Sequence, residues 1–227
     1  MDAFRDHYGP AIISAFGLLI VSSSALLFGS LLIGWAELPG NWPKVSIMIW
    51  TPFCLLTLAF IIRRCSDIQV RSWAARQMSM KLLAGGLIMG ILAAPILALM
   101  TNAIRILVHG NELNHQVDLV TLTDPTVLES SLVAAMIVIL IPIAEEILYR
   151  GVLFDALRAL VSDQTVIVLT AITFGIAHFD VANSIGTGVL GLGLGWLRLR
   201  SNTIWPCILL HAGFNLFGYS VILMASS

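Results

Sequence analysis

Long uncharged apolar stretches alternate with short polar breaks along this chain, and the stretches have the length of membrane-crossing helices. About 20 predominantly apolar residues span a bilayer as a helix. Residues 11–36, 45–62 and 82–104 carry no charge and meet that length. A Leu38-Pro39-Gly40-Asn41-Trp42-Pro43 turn separates the first two. The basic segment Arg63, Arg64, Arg71, Arg76 and Lys81, opposed only by Asp67, separates the second from the third. Residues 105–131 are polar and mostly acidic (Glu112, Asp118, Asp124, Glu129), as a loop or an interfacial helix would be. From Leu132 the chain is apolar into the acid pair Glu145-Glu146 and on past Arg150 to Val161, interrupted by Asp155 and Arg158, which predicts one long helix with any kink at Pro142. Ser162-Asp163-Gln164 is a turn, and residues 165–179 form the next apolar stretch. Residues 183–197 are dense in glycine, with Gly191 and Gly195 at the spacing that lets helix backbones approach closely. After a short break at Arg198–Asn202, residues 203–224 make the last span. The expectation is an all-α, polytopic transmembrane bundle of about seven spans. It divides into amino-terminal membrane helices over 1–127 and a membrane core over 128–224.

Composition agrees. The 227 residues are 58% hydrophobic and 11% charged, with mean hydropathy +0.94, whereas a soluble domain is about 45–50% apolar and about 25% charged. A net charge of −1 offers no field for nucleic acid, so the bilayer is the expected partner. Cys54, Cys65 and Cys207 share no metal-ligand spacing and read as small apolar residues. The amino terminus lacks a signal-peptide pattern. Lysine and arginine mark the cytoplasmic side of membrane proteins. The 63–81 segment, Arg158, Arg198 and Arg200 therefore belong inside, and 105–131 outside.

Against this background three polar signatures stand out, because ionisable groups inside hydrocarbon cost several kcal/mol and are functional by default. The first is Glu145, Glu146 and Arg150. Glu146 and Arg150 lie four apart, on one helix face and in the favoured acid-first order, whereas Glu145 diverges by about 100°. That division leaves Glu145 as an ionisable base beside a structural pair; the plainer reading is that both acids line a helix contact. The second is His178. Counting back to the 162–164 turn at about 1.5 Å per residue brings His178 and Glu145 to similar heights, with Glu145 some 25 Å from the turn. The third is His211 with Asn215, again four apart. They suit an oxyanion or, for His211, a metal; a polar clasp between helices is the alternative.

In order, Glu145-Glu146-Ile-Leu-Tyr-Arg150, Phe174-x-x-x-His178 and His211-x-x-x-Asn215 resemble the motifs of the CAAX prenyl protease and bacteriocin-processing family, intramembrane proteases similar to the type II CAAX enzymes. The resemblance covers about residues 130–218. It implies a peptide hydrolase of a multi-pass protein, expected in the bacterial inner membrane, acting on a membrane-embedded or lipidated peptide. It further implies that Glu145 activates the attacking water, His178 assists, and His211 with Asn215 stabilises the oxyanion. The family is often labelled metalloprotease. His178, His211 and Glu145 are the candidate zinc ligands, yet no His-Glu-x-x-His helix is present and a metal-free route is preferred. The alternatives are an inactive immunity or partner-binding protein of the same fold, and a proton-coupled carrier, which would show internal repeats.

Overall fold

The computed structural model describes residues 29, 31–33, 36–65, 79–109, 121–158, 160–178 and 180–226. The described residues form helices α1 (Trp42–Cys65), α2 (Met80–His109), α3 (Val127–Arg158), α4 (Asp163–Ile176), α5 (Val181–Ser201) and α6 (Trp205–Ser226). The all-helical bundle expected from the sequence is present. Most of the 11–36 span and of the basic 63–81 segment lies outside the described residues.

Four of these helices, α1, α2, α3 and α6, are long and apolar enough to cross a membrane. That is fewer than the expected seven, for two physical reasons besides the undescribed first span. The apolar α4 has only 14 residues, and α5 exchanges apolar bulk for glycine and carries Asn183, Arg198 and Arg200.

Helix ends follow local chemistry. Thr126 and Glu129 form a capping box that starts α3, with Thr126 N–H donating to Glu129 Oε2 at 2.8 Å and Glu129 N–H to Thr126 Oγ1 at 3.2 Å. Ser162 caps α4 and Asp180 caps α5. Asn202 ends α5 in the left-handed conformation, φ 54°. The turn before α1 is fastened to the segment before α3. Asn41 donates to Thr123 O at 2.9 Å and accepts from Thr123 N–H at 3.0 Å, and Lys44 donates to Thr121 O at 2.9 Å. The first residues of α1 and α3 therefore share one side of the bundle, as the expected orientation requires.

The closest helix approach is between α2 and α6, which run parallel. A β-carbon at Gly86 would lie 2.6 Å from Pro206 O, and one at Gly90 would collide with Leu210 O. Gly86 and Gly90 are four apart, a small-xxx-small pair in α2 besides the one in α5. Leu148, Tyr149, Val152, Phe174, Leu194 and Leu210 lie in the central core. Phe53, Phe60, Leu92 and Ile96 are more than half exposed on outer faces, where lipid is the natural solvent.

Candidate active site

Two departures from α-helical geometry shape the site. Within α3, Met136–Leu140 and Ile147–Leu153 are π-helical and bracket the short α-helical stretch Ile141–Glu146 that carries both acids. Such stretches favour functional positions because the wider turn redirects side chains and releases carbonyls. In the first, Ile141 N–H reaches back five residues to Met136 O. The next donor in that register would be Pro142, which has no N–H. Ile137 O is thus left without its backbone donor, and Asn215 Nδ2 supplies one at 2.9 Å. In the second, Phe154 N–H goes to Tyr149 O rather than to Arg150 O. Arg198 Nε donates to Arg150 O instead, at 3.0 Å. Each released carbonyl is met by a side chain from a neighbouring helix, and the acid pair is clamped between them.

Glu146 and Arg150 have side-chain exposures of 0% each and are joined by a 2.9 Å bond from Arg150 Nη1 to Glu146 Oε1. Arg150 Nη2 donates to Gly191 O at 3.2 Å, and the guanidinium lies over the Phe174 ring, 4.5 Å from its centroid. A β-carbon on Gly191 would sit 3.2 Å from that same Nη2 and 3.0 Å from Ala171 Cα. The glycine is therefore what admits the arginine.

His211 connects the two acids. Its Nδ1 is 3.0 Å from Glu146 Oε1 and its Nε2 is 3.5 Å from Glu145 Oε2. A carboxylate only accepts, so the Glu146 contact needs a proton on Nδ1, and a hydrogen bond from Nε2 to Glu145 needs a second proton there. Glu145 keeps 14% side-chain exposure while its neighbour keeps none. One acid is sealed into an ion pair, and the other borders the open part of the site.

His178 Nδ1 lies 2.8 Å from Phe174 O, a last-turn carbonyl of α4. A carbonyl likewise only accepts, so this nitrogen carries a proton. Both imidazoles stand edge-on to Phe174, His178 at 5.0 Å and His211 at 5.6 Å between centroids, and Tyr149 packs there at 5.1 Å. The fully buried Phe174 is the common floor beneath Arg150 and both rings.

His211 is six residues past Trp205, the first residue of α6, about 9 Å along a helix axis. Among the described residues no three His, Cys, Asp or Glu side chains form a group able to hold a metal ion, and His178, His211 and Glu145 are included in that statement.

Residues 127–217 match the family model described as type II CAAX prenyl endopeptidase, Rce1-like. That segment is similar to the CAAX prenyl protease-like family. The matched stretch begins with the first residue of α3 and ends six residues after His211, so it contains every residue of the site just described. No curated protein and no solved structure matches the chain. The described residues thus form a helical protein with four helices long and apolar enough to cross a membrane, and its 127–217 segment is similar to a protease family.

Several residues of this CAAX-protease-like core were not singled out from the sequence. Arg198 read as a charge on the cytoplasmic side and Asp155 only as an interruption of the long apolar helix, yet they pair at 2.6 Å with side-chain exposures of 1% and 9%. Gly191 was read as a packing residue and is also a hydrogen-bond acceptor for Arg150. Pro142, taken as a kink, is what leaves Ile137 O to Asn215. A proline followed at short distance by paired acids was the available signal.

Proposed function

We propose that this protein is an intramembrane endopeptidase that hydrolyses a peptide bond in a membrane-associated or lipidated substrate by direct attack of a carboxylate-activated water. The observation that carries this reading is His211 held between two acids of unequal burial. Glu146, fixed by Arg150, orients the imidazole; Glu145, the more exposed acid, faces Nε2 at 3.5 Å. Glu145 is the general base that takes the proton of the attacking water and, as the C–N bond of the tetrahedral intermediate breaks, returns it to the leaving amine. His178 assists from α4 through Nε2. His211, taken as the imidazolium with its Nδ1–H on Glu146, donates its Nε2–H to the developing oxyanion, joined by the second N–H of Asn215, whose first is on Ile137 O. The Glu146 contact gives His211 the orientation that an acid gives the histidine of other hydrolytic sites.

Charge supports the assignment. A lone carboxylate in this layer would be costly, whereas Glu146 is opposed by Arg150 and Glu145 by the His211 imidazolium. The residues supply a base, an orienting acid and hydrogen-bond donors without a metal, and no step is drawn through one. The membrane is taken to be a bacterial inner membrane, with the basic side cytoplasmic. The test is a comparison of carboxy-terminal peptides from cells producing the wild-type protein and Glu145→Gln. New carboxy termini that depend on Glu145, in proteins carrying a membrane anchor or lipid, are expected. Identical carboxy-terminal profiles would overturn the proposal.

A further inference from the structure

A second buried guanidinium lies directly behind the acid–arginine pair, on α5. Arg198 is 1% exposed. Its Nε donates to Arg150 O at 3.0 Å and its Nη2 to Asp155 Oδ1 at 2.6 Å, while Nη1 is 3.5 Å from Asn202 Oδ1. Its Cζ stands over the Phe154 ring at 5.3 Å. Stability alone is a poor reason for this arrangement, because an apolar pair of similar volume is often as stable as a buried ion pair. An apolar pair lacks a donor for the carbonyl that the second π-helical stretch releases. That carbonyl belongs to Arg150, the residue that fixes Glu146.

We propose that Arg198 and Asp155 are positioning residues that set the backbone of Arg150 and, through it, the orientation of His211. The contacts are continuous: Asp155 holds the Arg198 fork, Arg198 Nε holds the Arg150 peptide, Arg150 Nη1 holds Glu146 Oε1, and Glu146 holds His211 Nδ1. Three helices contribute, α5 with Arg198, α3 with the acids and Arg150, and α6 with His211. The π-helical turn between Glu146 and Asp155 is the adjustable joint. Without a donor at Arg150 O it can relax towards ordinary α-helical bonding, in which Phe154 N–H would return to Arg150 O. That relaxation rotates the guanidinium away from Glu146. The inference rests on the reading of Glu145, Glu146 and His211 as one site, but not on what that site cleaves.

Lysine in place of Arg198 separates the two contacts, since it keeps a cation opposite Asp155 and has no counterpart of Nε. The experiment measures the ring nitrogen resonances of His211 by nitrogen-15 NMR on the full-length protein in lipid nanodiscs. They are identified by their loss in His211→Gln, and Glu146→Gln serves as the benchmark for a released imidazole. Arg198→Lys is expected to move the His211 resonances towards the benchmark positions. Val45→Ala, which loosens a separate buried cluster with Val133 and Tyr219, is expected to leave them in place. Unmoved resonances in Arg198→Lys would overturn the proposal, as would an equal movement in Val45→Ala. Should Arg198→Lys fail to fold, Asp155→Asn is read in the same way, with movement supporting the relay and none refuting it. The readout needs no substrate, so a failed search for cleaved peptides leaves this result standing on its own.

Discussion

Replacing Arg150 with methionine keeps most of the apolar bulk and removes the charged fork. Two bonds are lost, the 2.9 Å bond to Glu146 Oε1 and the 3.2 Å bond to Gly191 O. Glu146, with no exposure, is then held only by His211 among the described residues, because its Oε2 has no hydrogen-bond partner there. Removing one partner of a buried pair costs about 3–5 kcal/mol. A charge at the centre of a membrane helix costs about 2.5–3.5 kcal/mol on insertion scales. Arg150→Met should therefore destabilise the protein by about 3–5 kcal/mol. Glu146→Gln with Arg150→Met removes both charges and should cost less than the two single changes together, with a coupling of about 2 kcal/mol or more. The assay is reversible unfolding in bicelles by steric trapping, with wild type, both single variants and the double variant. A loss below about 0.5 kcal/mol for Arg150→Met, within the range of ordinary surface changes, would refute the ion-pair account. So would single effects that simply add.

Gly90→Val places a side chain against the backbone of α6 at Leu210 and Phe214. It should destabilise the bundle by about 1–3 kcal/mol; unchanged unfolding would show that the two helices are not held in this contact. Asn41→Leu removes both bonds to Thr123 and should cost about 1–3 kcal/mol while leaving the site chemistry intact. Proteolysis should then rise first in the 121–126 segment, and cleavage that rises elsewhere instead would contradict the fastening. Peptide cleavage should persist in a strong chelator; loss restored by zinc would reverse the metal-free proposal.

The helical bundle was legible because its spans are apolar and their breaks carry Gly, Pro and charge. The neighbour relation of Glu146 and Arg150 followed from a spacing of four, and their 2.9 Å bond has that geometry. Which imidazole would face Glu145 was not legible. Spacing gives height along a helix, whereas the azimuth of α4 and α6 around α3 depends on packing. Two π-helical stretches also shift the register of α3 in a way that no 3.6-residue count contains. Asn215 shows the same limit, since its bond to Ile137 O exists because Pro142 cannot donate. Arg198 was hidden for another reason. A basic residue near a helix end reads as interfacial, and only the fold reveals a released carbonyl and Asp155 beside it. The glycines of α2 were readable as a close-packing pair, but their partner helix, 120 residues further on, was not.

If Glu145 and His211 act as one unit on the same water and peptide, removing either should disable nearly the whole mechanism. The decisive measurement is kcat/KM for Glu145→Gln, His211→Gln and the double variant, on a peptide found by the carboxy-terminal comparison. Each single variant should lose about 10²–10⁴-fold, and the double variant should be little worse than the poorer single one. Multiplying losses would place the two side chains in separate tasks, and wild-type turnover in Glu145→Gln would contradict the site altogether.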